Sequence, residues 1–425
     1  MKTKMNVDAK ELSKALAVFD KMISPKAALP VLRDVLLTYD KAQGIFRLIG
    51  SDTESWLMID CTNERKEGDE VKTVAYANML EDDQRDSFTA VCLPFRDLKD
   101  AVGALPTGYL LQVSFDGESH TMTVDYQIGM FTMPFHDAID YPLPVSVVTK
   151  EGVQSGDQGS STVYPVCRFS IEASELLPLM KQARICVGND DLRPALNCEA
   201  MDISQEKLVL VASDGHSMYR KVMEKGAGWL EYGEFPADGS RVLMIPKPML
   251  GAVTSAFEKS GRLTITADTQ RVEWKADGIV LICRMPEGRF PNYNAVIPQT
   301  SDYTLAFCTA DMRAALRRLS LFASSASNLG ILERKGGQLQ IEASDYDFSK
   351  SGSERISLVN ADTCTLQEGV RFGFKIATMA GLLDVVGDDN TLLLVTNPSK
   401  AMVIKPEDVA KQNLTLMQMP MLVNE

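Results

Sequence analysis

Three stretches of the chain alternate apolar and polar residues in the same way and stop on the same pair. FRLIG (46–50), KLVLVA (207–212) and QLQIEA (338–343) have the two-residue period of half-buried strands, and each runs into Ser-Asp. The wider segments LLTYDKAQGIFRLIGSD (36–52), AMDISQEKLVLVASD (200–214) and ILERKGGQLQIEASD (331–345) place a second strand before each, across a Gly or Asp-Lys turn.

A longer period flanks these hairpins. In NVDAKELSKALAVFDKMI (6–23), SIEASELLPLMKQARICV (170–187) and FCTADMRAALRRLSLFA (307–323), apolar residues recur at i, i+3 and i+4 and predict helices over 8–23, 174–187 and 309–323. Asp8, Ser174 and Thr309 are placed to accept from the free amides of the first turns, with Glu11, Glu175 and Asp311 supplying negative charge nearby. A second set, CLPFRDLKDAVGALPTGYLLQVSFD (92–116), MIPKPMLGAVTSAFEKSGRLTITAD (244–268) and GFKIATMAGLLDVVGDDNTLLLVTN (373–397), predicts helices over 95–105, 246–260 and 375–387. Each of these leads into a β run ending in Asp or Asn.

The three sets recur in one order, so the chain contains one pattern three times. The expected fold is α+β, with three repeated domains of two helices packed on antiparallel sheets. Expected boundaries are 1–147, 165–299 and 300–425, with a Gly/Ser-rich linker at 148–164 and a charged insert at 64–87 looping from the first domain.

Composition narrows the class. Eight cysteines without a CxxC pair and only three histidines argue against a zinc site, and no other metal or cofactor is expected. Dispersed thiols in a chain of 425 residues suit a reducing compartment. The start, MKTKMNVDAKELSKAL, lacks a signal-peptide core, and no run nears the ~18 apolar residues of a membrane span, so a soluble, cytoplasmic protein is expected. The net charge of −13 opposes a nucleic-acid partner, yet the six predicted helices carry +4 and leave −17 elsewhere. In the first helix Leu12, Ala15, Leu16, Phe19 and Ile23 form the buried stripe, opposite Lys10, Lys14 and Lys21. In the fifth, Met312, Ala315, Leu316, Leu319 and Phe322 turn inward and Arg313 and Arg317 outward. This segregation suits a surface that meets phosphate without reading bases.

One stretch looks catalytic. VASDGHSMY (211–219) brings Ser213, Asp214 and His216 within four residues. The nucleophile elbow G-x-S-x-G is absent, as are Walker and dinucleotide-binding motifs. Ser51-Asp52 and Ser344-Asp345 have no Gly-His after them, so Ser-Asp reads as a turn common to the repeats. Gly215-His216-Ser217-Met218 is then the middle repeat's own addition.

ALPVLRDVLL (28–37), LVASDGHSM (210–218), EGRFPNYNAVIP (287–298) and the terminal Met-Pro-Met (419–421) together resemble the bacterial DNA polymerase III β subunit, the replicative sliding clamp, through essentially the whole chain. The resemblance implies a non-catalytic processivity factor: two chains closed head to tail around duplex DNA, helices lining the hole. It also implies a hydrophobic groove between the second and third domains for short peptides of the DNA polymerase III alpha subunit, the clamp loader and other partners. Its lining would fall on Leu196, Ser213, Gly215, His216, Met218, Pro291, Val296, Leu316, Met417, Met419, Pro420 and Met421. Methionine-rich walls suit several peptides because the side chain is flexible and polarizable.

For DNA, the resemblance points to Lys26 and Arg193, and electrostatics adds Lys181, Arg184, Lys247, Arg313 and Arg317. Ser217, Ala295 and Lys375 depart from the usual pocket residues, and the chain continues past Met-Pro-Met as LVNE, an end expected to cover part of the groove. Two alternatives stay open: a repeat-built interaction scaffold that does not encircle DNA, and a serine hydrolase using Ser213 and His216.

Overall fold

The computed structural model describes residues 2–40, 45–61, 64–67, 70–73, 90–106, 108–143, 167–224, 230–232, 240–359, 362, 364–397 and 399–423. The 148–164 linker and most of the 64–87 insert lie outside them; the described part of the insert pairs Glu64–Glu67 with Glu70–Thr73 in a hairpin. The chain divides into two compact units, Met1–Pro178 with Gly226–Gly239 and Ile245–Pro286, and Leu179–Lys225 with Ser240–Met244 and Glu287–Glu425.

Six α-helices occur among the described residues: α1 (Ala9–Phe19), α2 (Phe95–Gly103), α3 (Ala173–Ala183), α4 (Lys247–Ala256), α5 (Thr309–Leu319) and α6 (Ile376–Asp384). All six sit where the apolar period places them, but each stops short of the predicted C-terminus. In α1 the amides of Met22 and Ile23 both turn back to the Phe19 carbonyl, 2.9 Å each, so the chain leaves the helix axis while keeping Ile23 buried. After α5 the amide of Phe322 bonds to the Leu319 carbonyl, and Phe322, expected inward, is 39% exposed. Asp8 caps α1 as expected, accepting from the amides of Lys10 and Glu11. Thr309 does not cap α5. It is the first helical residue, and its hydroxyl meets that of Thr391 at 2.8 Å. Ser174 likewise lies inside α3, which starts at Ala173.

The first unit carries a ten-stranded sheet. Its strands run in the order His136–Asp137, Val91–Pro94, Asp34–Asp40, Ile45–Ser51, Ser55–Cys61, Ile279–Arg284, Arg271–Ala276, Arg262–Ala267, Cys167–Glu172 and Leu230–Tyr232. Halfway across, Ser55–Cys61 of the first repeat pairs antiparallel with Ile279–Arg284 of the second. A separate four-stranded sheet orders Lys2–Asp8, Leu110–Asp116, Thr121–Tyr126 and Gly129–Pro134.

The second unit repeats this plan. Its eight-stranded sheet orders Ser240–Pro246, Cys198–Ser204, Lys207–Ser213, Ser217–Glu224, Leu414–Gln418, Met402–Pro406, Asn390–Val395 and Tyr303–Cys308. Here Ser217–Glu224 of the second repeat pairs antiparallel with Leu414–Gln418 of the third. The remaining four strands run Lys350–Ile356, Gln338–Asp345, Leu329–Lys335 and Arg371–Lys375. A Met-Pro ends the strand Gly129–Pro134 and directly follows Ile279–Arg284 and Leu414–Gln418: Met133-Pro134, Met285-Pro286 and Met419-Pro420.

Each unit has its own apolar core. Leu36, Ile49, Met58, Cys92, Tyr141 and Ile282 pack together in the first, across the strand pair that joins two repeats. Val209, Val211, Met218, Val222, Tyr293, Ala401, Val403 and Met417 do so in the second. All eight cysteines are free thiols, and all but Cys308 are buried. No helix among the described residues is long and apolar enough to cross a membrane.

Candidate peptide groove and basic surface

The Ser-Asp turn of the middle repeat is held by its own side chains. Ser213 Oγ donates to the Ser217 carbonyl (2.8 Å) and accepts from the Gly215 amide (3.1 Å). Asp214 Oδ1 accepts from the amides of His216 (2.8 Å) and Ser217 (2.6 Å) and from the Ser217 hydroxyl (3.0 Å). The first repeat makes the corresponding bonds: Thr53 amide to Ser51 Oγ at 3.0 Å, and the amides of Glu54 and Ser55 to Asp52 Oδ1 at 3.0 and 2.7 Å. In the third repeat the turn is longer, and Asp345 Oδ1 takes the Phe348 amide at 3.4 Å.

These bonds decide against the hydrolase alternative. The Ser213 proton points at a backbone carbonyl, not at an imidazole, so among the described residues no base is in position to activate it. His216 instead faces solvent. The nearby Cys186 thiol is pushed up to about 12 by burial, which keeps it protonated and unreactive.

Gly215 sits at φ +86°, where a side chain would be strained, and a Cβ there would lie 2.8 Å from Arg193 Nη1. Arg193, expected on the DNA surface, thus lies against the turn, with its Nε on Asp190 Oδ2 at 2.8 Å. From the turn, Met218 stands opposite Met417 and Ser217 opposite Gln418. The chain end then continues as a short wall pinned at two points. The Met419 amide donates to the His216 carbonyl (2.7 Å), and the Met421 amide to the Gly373 carbonyl (2.8 Å). Gly373 has no room for more: a Cβ would stand 2.4 Å from the Met421 carbonyl oxygen.

The structure therefore sorts the expected groove residues by depth. Gly215, His216, Pro291, Val296 and Met419 are exposed; Ser213, Pro420 and Met421 are half-buried; Leu196, Met218 and Met417 lie beneath. Leu316 is a correction. It is wholly buried in the α5 stripe and offers no surface, because the helix period turns it inward with Met312, Ala315 and Leu319. Three further apolar residues lie beside the expected set. Phe290, Ile297 and Leu394 are partly buried and pack on the cluster containing Met218 and Met417. The first two lie within the RFPNYNAVIP segment, so their apolar character was the available signal. Tyr293 anchors that segment by donating to Asp202 Oδ2 at 2.6 Å.

The basic candidates are less free than their spacing implies. Arg313 and Arg317 both reach Asp384, at the end of α6, so two cations share one carboxylate. Lys14 pairs with Glu11 at 2.5 Å. Lys26, Lys181 and Arg184 are exposed, while Lys247 is half-buried at the start of α4. Lys26 lies in a surface turn, its amide on Ser24 Oγ.

Comparison with known proteins fits this arrangement. The family model for the DNA polymerase III beta subunit, central domain, matches residues 170–292. The beta sliding clamp of Pseudomonas aeruginosa is 20% identical over 95% of each chain, and that of Escherichia coli K12 is 21% identical over 98% of this chain and 99% of its own. The DNA polymerase sliding clamp of Bacillus subtilis superposes with a TM-score of 0.81 at 18% identity, over the whole of both chains. A Bartonella birtlesii sliding clamp, solved bound to griselimycin, gives 0.80 at 21%, again over both whole chains. The fold is that of a DNA polymerase sliding clamp.

Proposed function

We propose that two copies of this chain close head to tail into a ring around duplex DNA and tether the replicative polymerase, without catalysis of their own. The observation that carries this reading is a pair of sheet edges that have no partner among the described residues. In both units, the strand after a Ser-Asp turn pairs with the last strand of the next repeat. The third such strand, Lys350–Ile356, and the remaining last strand, Gly129–Pro134, are both sheet edges. They are the two halves of a third joint, and a second copy supplies each with its partner.

Exposed apolar groups support the same pairing. Ile128 and Met130, 77% and 68% exposed, mark one edge. Leu321, 71% exposed, and Phe322, which lies close to Gly352, mark the other.

In this reading the domains are 1–147, 165–299 and 300–425, the last two building the groove. The groove takes peptide segments from the polymerase alpha subunit and the clamp loader, and duplex DNA is met without base reading. Lys26, Lys181, Arg184, Lys247, Arg193, Arg313 and Arg317 together supply the positive charge that faces phosphate. The workplace is the cytoplasm, which suits eight free thiols.

Topology supplies the test. Placed on nicked circular DNA with a bacterial clamp loader and ATP, the protein is expected to remain bound through gel filtration and to run off once the circle is linearised. Equal retention on circular and linear DNA, or on neither, overturns the ring.

A further inference from the structure

The Ser-Asp turn that shapes the groove also borders a separate recess of about 250 Å³, whose lining includes Cys186, Asp214, Ser217, Lys375, Thr378 and Leu382. Two of these side chains are charged, and they differ in how their charge is held. Asp214 turns one carboxylate oxygen into its own loop, where it accepts three hydrogen bonds. Lys375 is exposed and makes no ion pair among the described residues.

Its backbone is fixed all the same. Lys375 stands opposite Leu329 in the sheet and precedes α6 in extended conformation. Its carbonyl accepts from Gln418 Nε2 at 3.0 Å. Gln418 in turn stands opposite Ser217 and directly precedes Met419, the start of the groove's pinned wall. A cation outside any ion pair is thus held beside an apolar groove, next to a recess that also carries the loop-bound Asp214 carboxylate and is able to admit a side chain.

We propose that the peptide occupying this groove presents an acidic side chain to the recess, with Lys375 as the specificity-determining residue. The inference rests on the groove reading and adds the chemistry of the partner. An aspartate or glutamate gains the ammonium and keeps its remaining oxygen in water at the mouth, while a lysine at that position meets like charge. The partially open setting limits the effect, so about threefold to fivefold discrimination is expected. It should shrink as salt is raised from low ionic strength to ~0.5 M, since exposed pairs are screened.

The test uses the full-length protein and a library of amidated hexapeptides. Each peptide carries two large apolar residues and one varied position. Wild type should enrich Asp and Glu at that position, Lys375→Gln should lose the preference, and Lys375→Glu should reverse it toward Lys. All three proteins should retain apolar peptides. Equal enrichment by wild type and Lys375→Gln overturns the assignment while leaving the groove intact. Failure of every protein to bind any apolar peptide overturns the groove reading itself.

Discussion

Glu199 is a carboxyl in an uncomfortable place. It is fully buried on the strand Cys198–Ser204, and neither carboxylate oxygen has a hydrogen-bond partner among the described residues. Burial pushes its carboxyl well above the usual range, with the charge of Arg184 opposing only in part. The folded form therefore holds a proton that the unfolded chain releases near its ordinary value of 4.5. Stability from this group is fully present below that value and falls as pH rises toward the folded pKa. Glu199→Met should raise stability at pH 8 by about 1–3 kcal/mol, with the gain shrinking toward pH 5. Thermal melts of both proteins at the two pH values check this, and a less stable Met variant at pH 8 would contradict it. Nothing in CEAMD announced such a carboxyl. Strand alternation makes Glu199 and Met201 share one face, and with strands on both sides and cover above, that face admits no water. The turn serines and aspartates, by contrast, were legible, because their bonds are local and run along the chain.

Among elements, the helices were legible in place but not in length. An amphipathic period continues through Ile23 and Phe322 even though the hydrogen bonds tighten and the chain turns away after Phe19 and Leu319. The helix period already turned Leu316 inward; only the resemblance put it in the groove lining, and its burial in α5 follows the period. The wall Met419–Met421 depends on a feature only coordinates reveal, the close passage of Gly373. Gly373→Ala should expel that wall, because the added carbon meets backbone that has no rotamer to escape into. The Met421 amide should then exchange with solvent, while amides of Leu414–Gln418 keep their protection. Affinity for an apolar hexapeptide should drop about tenfold, a loss within reach of about 1.4 kcal/mol of buried contact. Unchanged protection at Met421 would remove Gly373 from this role.

At the scale of the whole molecule, the triple pattern was the most legible feature, since each copy carries its own strand and helix periods. Which strands join the copies was not legible, because a sheet edge has no sequence signature of its partner. If the free edges meet in a second copy, replacing Leu321 and Phe322 with Asp should halve the measured mass from about 94 kDa toward the 46.8 kDa of one chain. Leu321 and Phe322 are 71% and 39% exposed in the single chain, so circular dichroism should still report the folded monomer; a dimer that survives the double change would place the joint elsewhere. The joint already formed inside the second unit has a consequence in time. Ser217–Glu224 waits for Leu414–Gln418, made roughly two hundred residues later, which at ~5–20 residues per second is on the order of 10–40 s of synthesis. Through that interval the nascent chain carries an open β edge beside apolar Met218, the kind of surface that strays into other chains. In the proposed reading the groove is complete only once Met419–Met421 are made, so a chain arrested before them is sticky and cannot dock a partner peptide.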